Sequence, residues 1–277
     1  MPAPAMITFM PCPFEFVGAS EAGILLRAKG ASTHANSVPG TYCRPMSRYR
    51  TTFNPATGEH IQYVVTGLES KGAVVRYRWT SDPEGSIVPH THPGSAEIFT
   101  ILQGEATFIV DGEKILLTPG QSAVVPAGIV HSEANVSGRL VRGIVELTPA
   151  SRTAELHDAL AGISSDLPHT ASGAPKSPWQ LGATFWAFRN DIRATSPPIW
   201  LQNILLPVLA VGARALGVSP TRSEWDSRLE PEDPAVELLF DERQFAVALQ
   251  QAGYDFDIRH PRPLLISGSD GSATNTV

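Results

Sequence analysis

Cysteine is nearly missing from this sequence: 277 residues hold two, Cys12 and Cys43, with no CxxC pair between them. That excludes a disulfide framework and a zinc ribbon. Positive charge is also short. With 21 Lys+Arg against 27 Asp+Glu the net charge is -6, and no basic stripe appears. Nucleic acid is therefore excluded as the main partner, because phosphate binding needs clustered cations. There is no G-x-S-x-G and no P-loop, so nothing points to a hydrolase triad or a nucleotide site. The first thirty residues lack the charged and apolar regions of a secretory signal. We expect a cytoplasmic protein.

A long apolar run is missing as well. The stretch Ile199 to Leu216 is broken by Gln202, Asn203, Pro207 and Arg214, and falls short of the ~20 apolar residues that span a bilayer. It reads first as a helix packed on the rest of the protein or on a second subunit. Contact with a membrane surface is the less favoured alternative. What is present is enough apolar residue, 42%, for a folded core in one or two domains.

Organisation follows from where the hydrophobic period changes. Residues 1–45 show no sustained period and read as an irregular extension, with Met46 as an alternative start. Residues 46–150 carry short β-type runs at 61–66, 73–80, 98–102, 106–110, 114–117, 122–125 and 140–147. Asp111-Gly112 between two of them is a type I′ hairpin signal. Many short strands with no helix between them predict a mainly β fold, a sandwich or small β-barrel. From 151 to 264 the period moves toward 3.6. Helices are expected at 151–162, capped by Ser151, at 199–216 and at 242–251, with a linker at 168–178. Residues 265–277 read as a disordered tail.

The chemistry sits between Gly85 and Asn135. His90 and His92 are two apart, so on an extended segment both imidazoles share a face. Pro93-Gly94-Ser95 turns the chain and lets Glu97 return on a neighbouring strand. His131, after the Pro126-Ala127-Gly128 turn, brings a third imidazole from the other end of the sheet. Three imidazoles and one carboxylate suit one divalent transition metal, Fe, Mn, Ni, Cu or Zn, with positions left open for water, substrate or dioxygen.

These residues resemble the motifs of the cupin superfamily, G(X)5HXH(X)3,4E(X)6G and G(X)5PXG(X)2H(X)3N. The second matches at every fixed position, from Gly120 to Asn135. In the first, His90, His92, Glu97 and Gly104 keep the spacing, while Gly85 precedes His90 by four residues instead of five. The resemblance covers roughly residues 50–148. It implies a double-stranded β-helix (cupin, jelly-roll) barrel with helices after it. It also implies metal ligands at His90, His92, Glu97 and His131, and a homodimer joined through N-terminal strands.

Other side chains have readings of their own. Phe99 and Ile101 share the face of Glu97 and are expected to line the pocket with an apolar wall, which suits an aromatic or otherwise hydrophobic substrate. Glu133 shares the face of His131 and is the candidate catalytic base, with a rim carboxylate as the plainer reading. Arg76 and Arg78 are expected on a solvated outer face, and His34, His60, His157, His169 and His260 at the surface. The function expected is a metalloenzyme of dioxygenase, isomerase or decarboxylase type acting on a small molecule. A non-catalytic binding or sensor module is the alternative.

Overall fold

The computed structural model describes residues 51–225, 242–251 and 258–259. The expected extension at 1–45, Met46, the tail at 265–277, His34 and His260 lie outside the described residues.

Two antiparallel sheets of jelly-roll type face each other. One is formed by β1 (Thr51–Asn54), β2 (Glu59–Val65), β3 (Val75–Ser81), β10 (Val141–Thr148), β5 (Ala96–Gln103) and β8 (Ser122–Val125), in the order β1-β2-β3-β10-β5-β8. The other contains β4 (Ser86–Thr91), β6 (Ala106–Val110), β7 (Glu113–Leu117), β9 (His131–Ala134) and the two-residue β11 (Arg193–Ala194), ordered β11-β4-β9-β6-β7. Alternation along the strands sends Tyr77, Trp79, Phe99, Ile101, Phe108 and Val145 into one core between the sheets. The Asp111-Gly112 reversal has φ of 50° and 85° at its two residues, the pair of left-handed conformations that a type I′ turn requires.

Helices follow the jelly roll: α1 (Thr153–Asp166), α2 (Pro178–Ala187), α3 (Ile199–Ala215) and α4 (Glu242–Gln251). Two expectations are corrected here. Ser151 does not cap α1. It lies at φ 47° with its hydroxyl 3.0 Å from Ser95 Oγ, and Arg152 takes the N-cap position with no side-chain bond. The stretch expected as linker holds an isolated bridge between His169 and Pro175, and its end starts α2. Ser177 caps that helix through Gln180 N and Pro178 opens it, a start signal visible in the sequence.

Arg76 and Arg78 do point away from the core, but that face is not solvated. Arg76 is fully buried, with Nη2 2.7 Å from Glu146 and Nη1 donating to Ile258 O. Arg78 stacks its guanidinium on Phe245 of α4 at 5.1 Å and donates to Gln62 Oε1. The cause is a second apolar layer, in which Phe245, Ala248 and Leu249 cover Val64, Val74, Leu102 and Ile144. Guanidinium stems and heads are tolerated there because each is paired.

Candidate metal centre

His90 and His131 face each other across the β4–β9 ladder, where they are direct register partners. His92 follows the end of β4, and its carbonyl accepts from Gly128 N at 2.9 Å. That bond fixes the type II turn Pro126–Ile129, closed by Ile129 N to Pro126 O at 3.1 Å with Gly128 at φ 80°. Glu97 comes from β5 in the opposite sheet, not from a neighbouring strand, and β9 pairs directly with β4 instead of reaching in from the far end. The site thus bridges the two sheets. One ligand atom from each of His90, His92, Glu97 and His131 lies within 4.8 Å of all the others, and all four residues are buried.

The local folding dictates which nitrogen faces inward. His90 Nδ1 lies 2.9 Å from Val88 O, His131 Nδ1 3.1 Å from Ile129 O and His92 Nδ1 2.7 Å from Asp191 O. A carbonyl only accepts, so each Nδ1 carries a proton and each Nε2 is the nitrogen that faces the centre, free to ligate a cation once it gives up any proton it shares with Glu97. Glu97 Oε2 sits 2.8 Å from His131 Nε2 and 3.3 Å from His92 Nε2.

Electrostatics match this arrangement. Burial alone would raise Glu97, yet the His92 and His131 rings outweigh it and hold the carboxyl below the usual range. Burial, together with the neighbouring His131 and His92, pushes His90 down to about 3, so its ring is neutral at pH 7. His92 is raised because Glu97 outweighs its burial. A cation at the centre would meet one carboxylate and three lone-pair nitrogens.

The surrounding wall is mixed rather than apolar. Phe99 packs on Phe108 at 4.7 Å and lies 6.3 Å from His131, so it borders the cluster. Ile101, fully buried, sits two residues further along β5 in the core. Glu133 is inside, not at a rim. It shares the His131 face of β9, and its Oε2 has no hydrogen-bond partner. Burial, with Glu59 and Glu97 nearby, pushes its carboxyl well up. That shift favours the protonated form, a tendency toward donor rather than base.

Two groups were missed from the sequence. His157, expected at the surface, places Nδ1 2.9 Å from Tyr63 Oη and its ring edge-on to Tyr77 at 5.3 Å, and burial lowers it to about 4. Glu59 accepts from Trp79 Nε1 at 3.0 Å and from Thr57 Oγ1, and burial raises it to about 7. The alternation Glu59, Ile61, Tyr63, Val65 was the available signal for an inward Glu59. His60 and His169 are half-buried, His60 pairing with Asp82 at 3.2 Å.

A jelly roll with a three-imidazole, one-carboxylate cluster able to hold a metal is the class of protein that fold and site define. Residues 77–145 match the family model for the cupin domain, so this part of the chain is similar to cupin domains. Germin-like protein 1 of Brassica napus is 33% identical over 81 residues, covering 27% of this chain and 39% of that protein. Quercetin 2,3-dioxygenase of Bacillus subtilis (strain 168) is 32% identical over 97 residues, covering 32% of this chain and 29% of that one. The chain therefore spans well under half the length of these curated relatives. A solved structure of an uncharacterized conserved protein with a double-stranded beta-helix domain from Klebsiella pneumoniae is 22% identical, with a TM-score of 0.32 over 36% of this chain and 85% of that one. Among the described residues no helix is long and apolar enough to cross a membrane.

Proposed function

We propose that the protein is a metal-dependent enzyme acting on a small organic molecule, with His90, His92, Glu97 and His131 holding one divalent transition metal. The observation that carries this reading is the commitment of all three Nδ1 atoms to backbone carbonyls, which turns three Nε2 atoms toward one carboxylate, each able to give its lone pair to a cation that replaces the Nε2 proton. When bound, such a metal activates dioxygen or polarises a carbonyl or carboxylate oxygen as a Lewis acid. The quercetin 2,3-dioxygenase among the relatives supports the oxygen-dependent branch.

The chain supplies the rest. Glu97 offsets positive charge at the centre, and its two histidine contacts keep it ionised. Phe99 and Phe108 limit water on the core side. Glu133 lies one alternation from His131 on the same strand face, and with its carboxyl pushed up by burial it is the side chain suited to give a proton to an oxygen of the bound molecule. Phe99, 6.3 Å from His131, beside the carboxyl of Glu133 on the His131 face suits a molecule with both a ring or chain and polar oxygen.

The test is a turnover panel of aromatic, dicarbonyl and keto-acid compounds, run with metal-loaded wild type and with His131→Ala, under air and under nitrogen. Turnover of one class, lost in the variant, is expected. Stoichiometric metal with no turnover anywhere would contradict catalysis and favour a binding module.

A further inference from the structure

The helical hairpin α2–α3 shows a face that the rest of the described protein does not cover. Its inner side is close-packed, since a Cβ on Gly182 would run into Leu209 and one on Gly212 into Trp179. Its outer side presents Trp200, Ile204, Val208 and Val211, at intervals of four, four and three residues, each between 57% and 72% exposed. That is one stripe along a helix. Contiguous exposed apolar surface of this kind marks an interaction site.

The charge around the stripe has one sign. Between positions 167 and 222 there are five cations, Lys176, Arg189, Arg193, Arg214 and Arg222, and a single acid, Asp191, in a chain whose net charge is -6. Asp191 is buried and accepts from Arg152 N. Neither α2 nor α3 contains an acidic residue. Among the described residues none of the five cations forms an ion pair. Arg189 and Arg193 are held together, Arg193 Nε donating to Arg189 O at 2.6 Å; Arg193 Nη1 is buried with no hydrogen-bond partner, and Arg189 donates to Trp186 O at 2.8 Å while stacking on that ring. Burial and Arg189 hold Arg193 below the ordinary guanidinium value. This like-charge pair sits beside the start of α3, because Gln202 Nε2 ties Ala194 O (2.7 Å) and Pro197 O (2.6 Å) to the first turn of the helix. The uncapped N-terminus of α3 adds its own positive end there.

From the apolar stripe and the arginines that have no acidic partner we infer that the α2–α3 hairpin docks flat on an anionic lipid surface, with Trp200, Ile204, Val208 and Val211 in the headgroup–acyl boundary and Arg189 and Arg193 toward lipid phosphates. Interfacial helices combine an apolar face with flanking cations in this way. A second copy of the chain fits less well, since pairing through the same face sets cations against cations with no acid between them.

The experiment is flotation of the full chain with vesicles of phosphatidylcholine alone or of phosphatidylcholine with phosphatidylglycerol, alongside light scattering for oligomeric state. Wild type is expected to float with the anionic vesicles, to stay at the bottom with the neutral ones, and to be released by added salt. Arg189→Gln/Arg193→Gln should weaken binding about 30-fold, from roughly a factor of five per cation. Trp200→Ser/Val208→Ser should abolish it with melting temperature and metal content unchanged; if that variant fails to fold, the arginine variant and the salt series decide. Wild type staying at the bottom with anionic vesicles, or equal binding by the arginine variant, overturns the inference. So does a dimer that Trp200→Ser/Val208→Ser splits while vesicle binding is absent, which would assign the face to a second copy.

Discussion

His92 donates from Nδ1 to the carbonyl oxygen of Asp191 at 2.7 Å, across 99 positions of sequence. A residue outside the two cupin motifs thereby sets the tautomer and tilt of a candidate ligand. The same segment is anchored twice more: β11 pairs with β4 through Arg193–Thr91 and Ala194–His90, and Asp191 Oδ1 accepts from Arg152 N at 2.9 Å. The helices after the jelly roll are thus part of the site's support.

Asp191→Ala removes the anchor to Arg152 while keeping the carbonyl. The loop gains freedom and His92 loses its fixed orientation. Metal affinity should fall about 10-fold or more, the scale for losing a supporting contact behind a ligand, measured by chelator competition. Unchanged affinity would show that β11 alone orients the ring.

Glu59 gives a pH test with a definite sign. Its carboxyl is raised to about 7 by burial, despite bonds from Trp79 and Thr57, so the folded state keeps a proton that the unfolded state releases near the ordinary value. That contribution to stability is present below about 4.5 and is lost as pH rises through about 7. Glu59→Gln, which can still accept from Trp79, should be nearly neutral at pH 5. At pH 8 it should stabilise by about 2 kcal/mol, read by denaturant unfolding at both pH values. A variant destabilised equally at both would contradict the shift.

Arg76 and Glu146 form a buried pair under α4, closed by Ile258 O. Arg76→Met leaves Glu146 buried without this partner and should cost about 3–5 kcal/mol. Arg76→Met/Glu146→Leu removes both charges and should cost much less. Chemical denaturation of the two variants checks the difference; equal losses would mean that the pair does not act as a unit.

Legibility in the sequence divided along physical lines. The strands of the core were readable because alternation reports one buried face, and 106–110 and 122–125 match to the residue. The strands β4 and β9 were visible only through their histidines, since Pro89 and short polar content dilute the pattern in Ser86–Thr91 and His131–Ala134. The four candidate ligands were legible as spacing, but their assembly across two sheets was not, because a turn does not say which sheet the returning strand joins. Asp191 left no mark, as a backbone carbonyl has no residue type. The buried arginines were misread for a related reason: alternation gives the outward face of β3 and is silent about α4, far along the chain, covering it.

The central claim is that His90, His92, Glu97 and His131 hold a metal. The most direct measurement is elemental analysis of purified wild type beside His90→Ala/His131→Ala, with circular dichroism showing both folded. Near-stoichiometric Fe, Mn, Ni, Cu or Zn in wild type and its loss in the folded variant is the expected result. Wild type that takes up no metal even after supplementation, or a variant that retains it fully, would contradict the account.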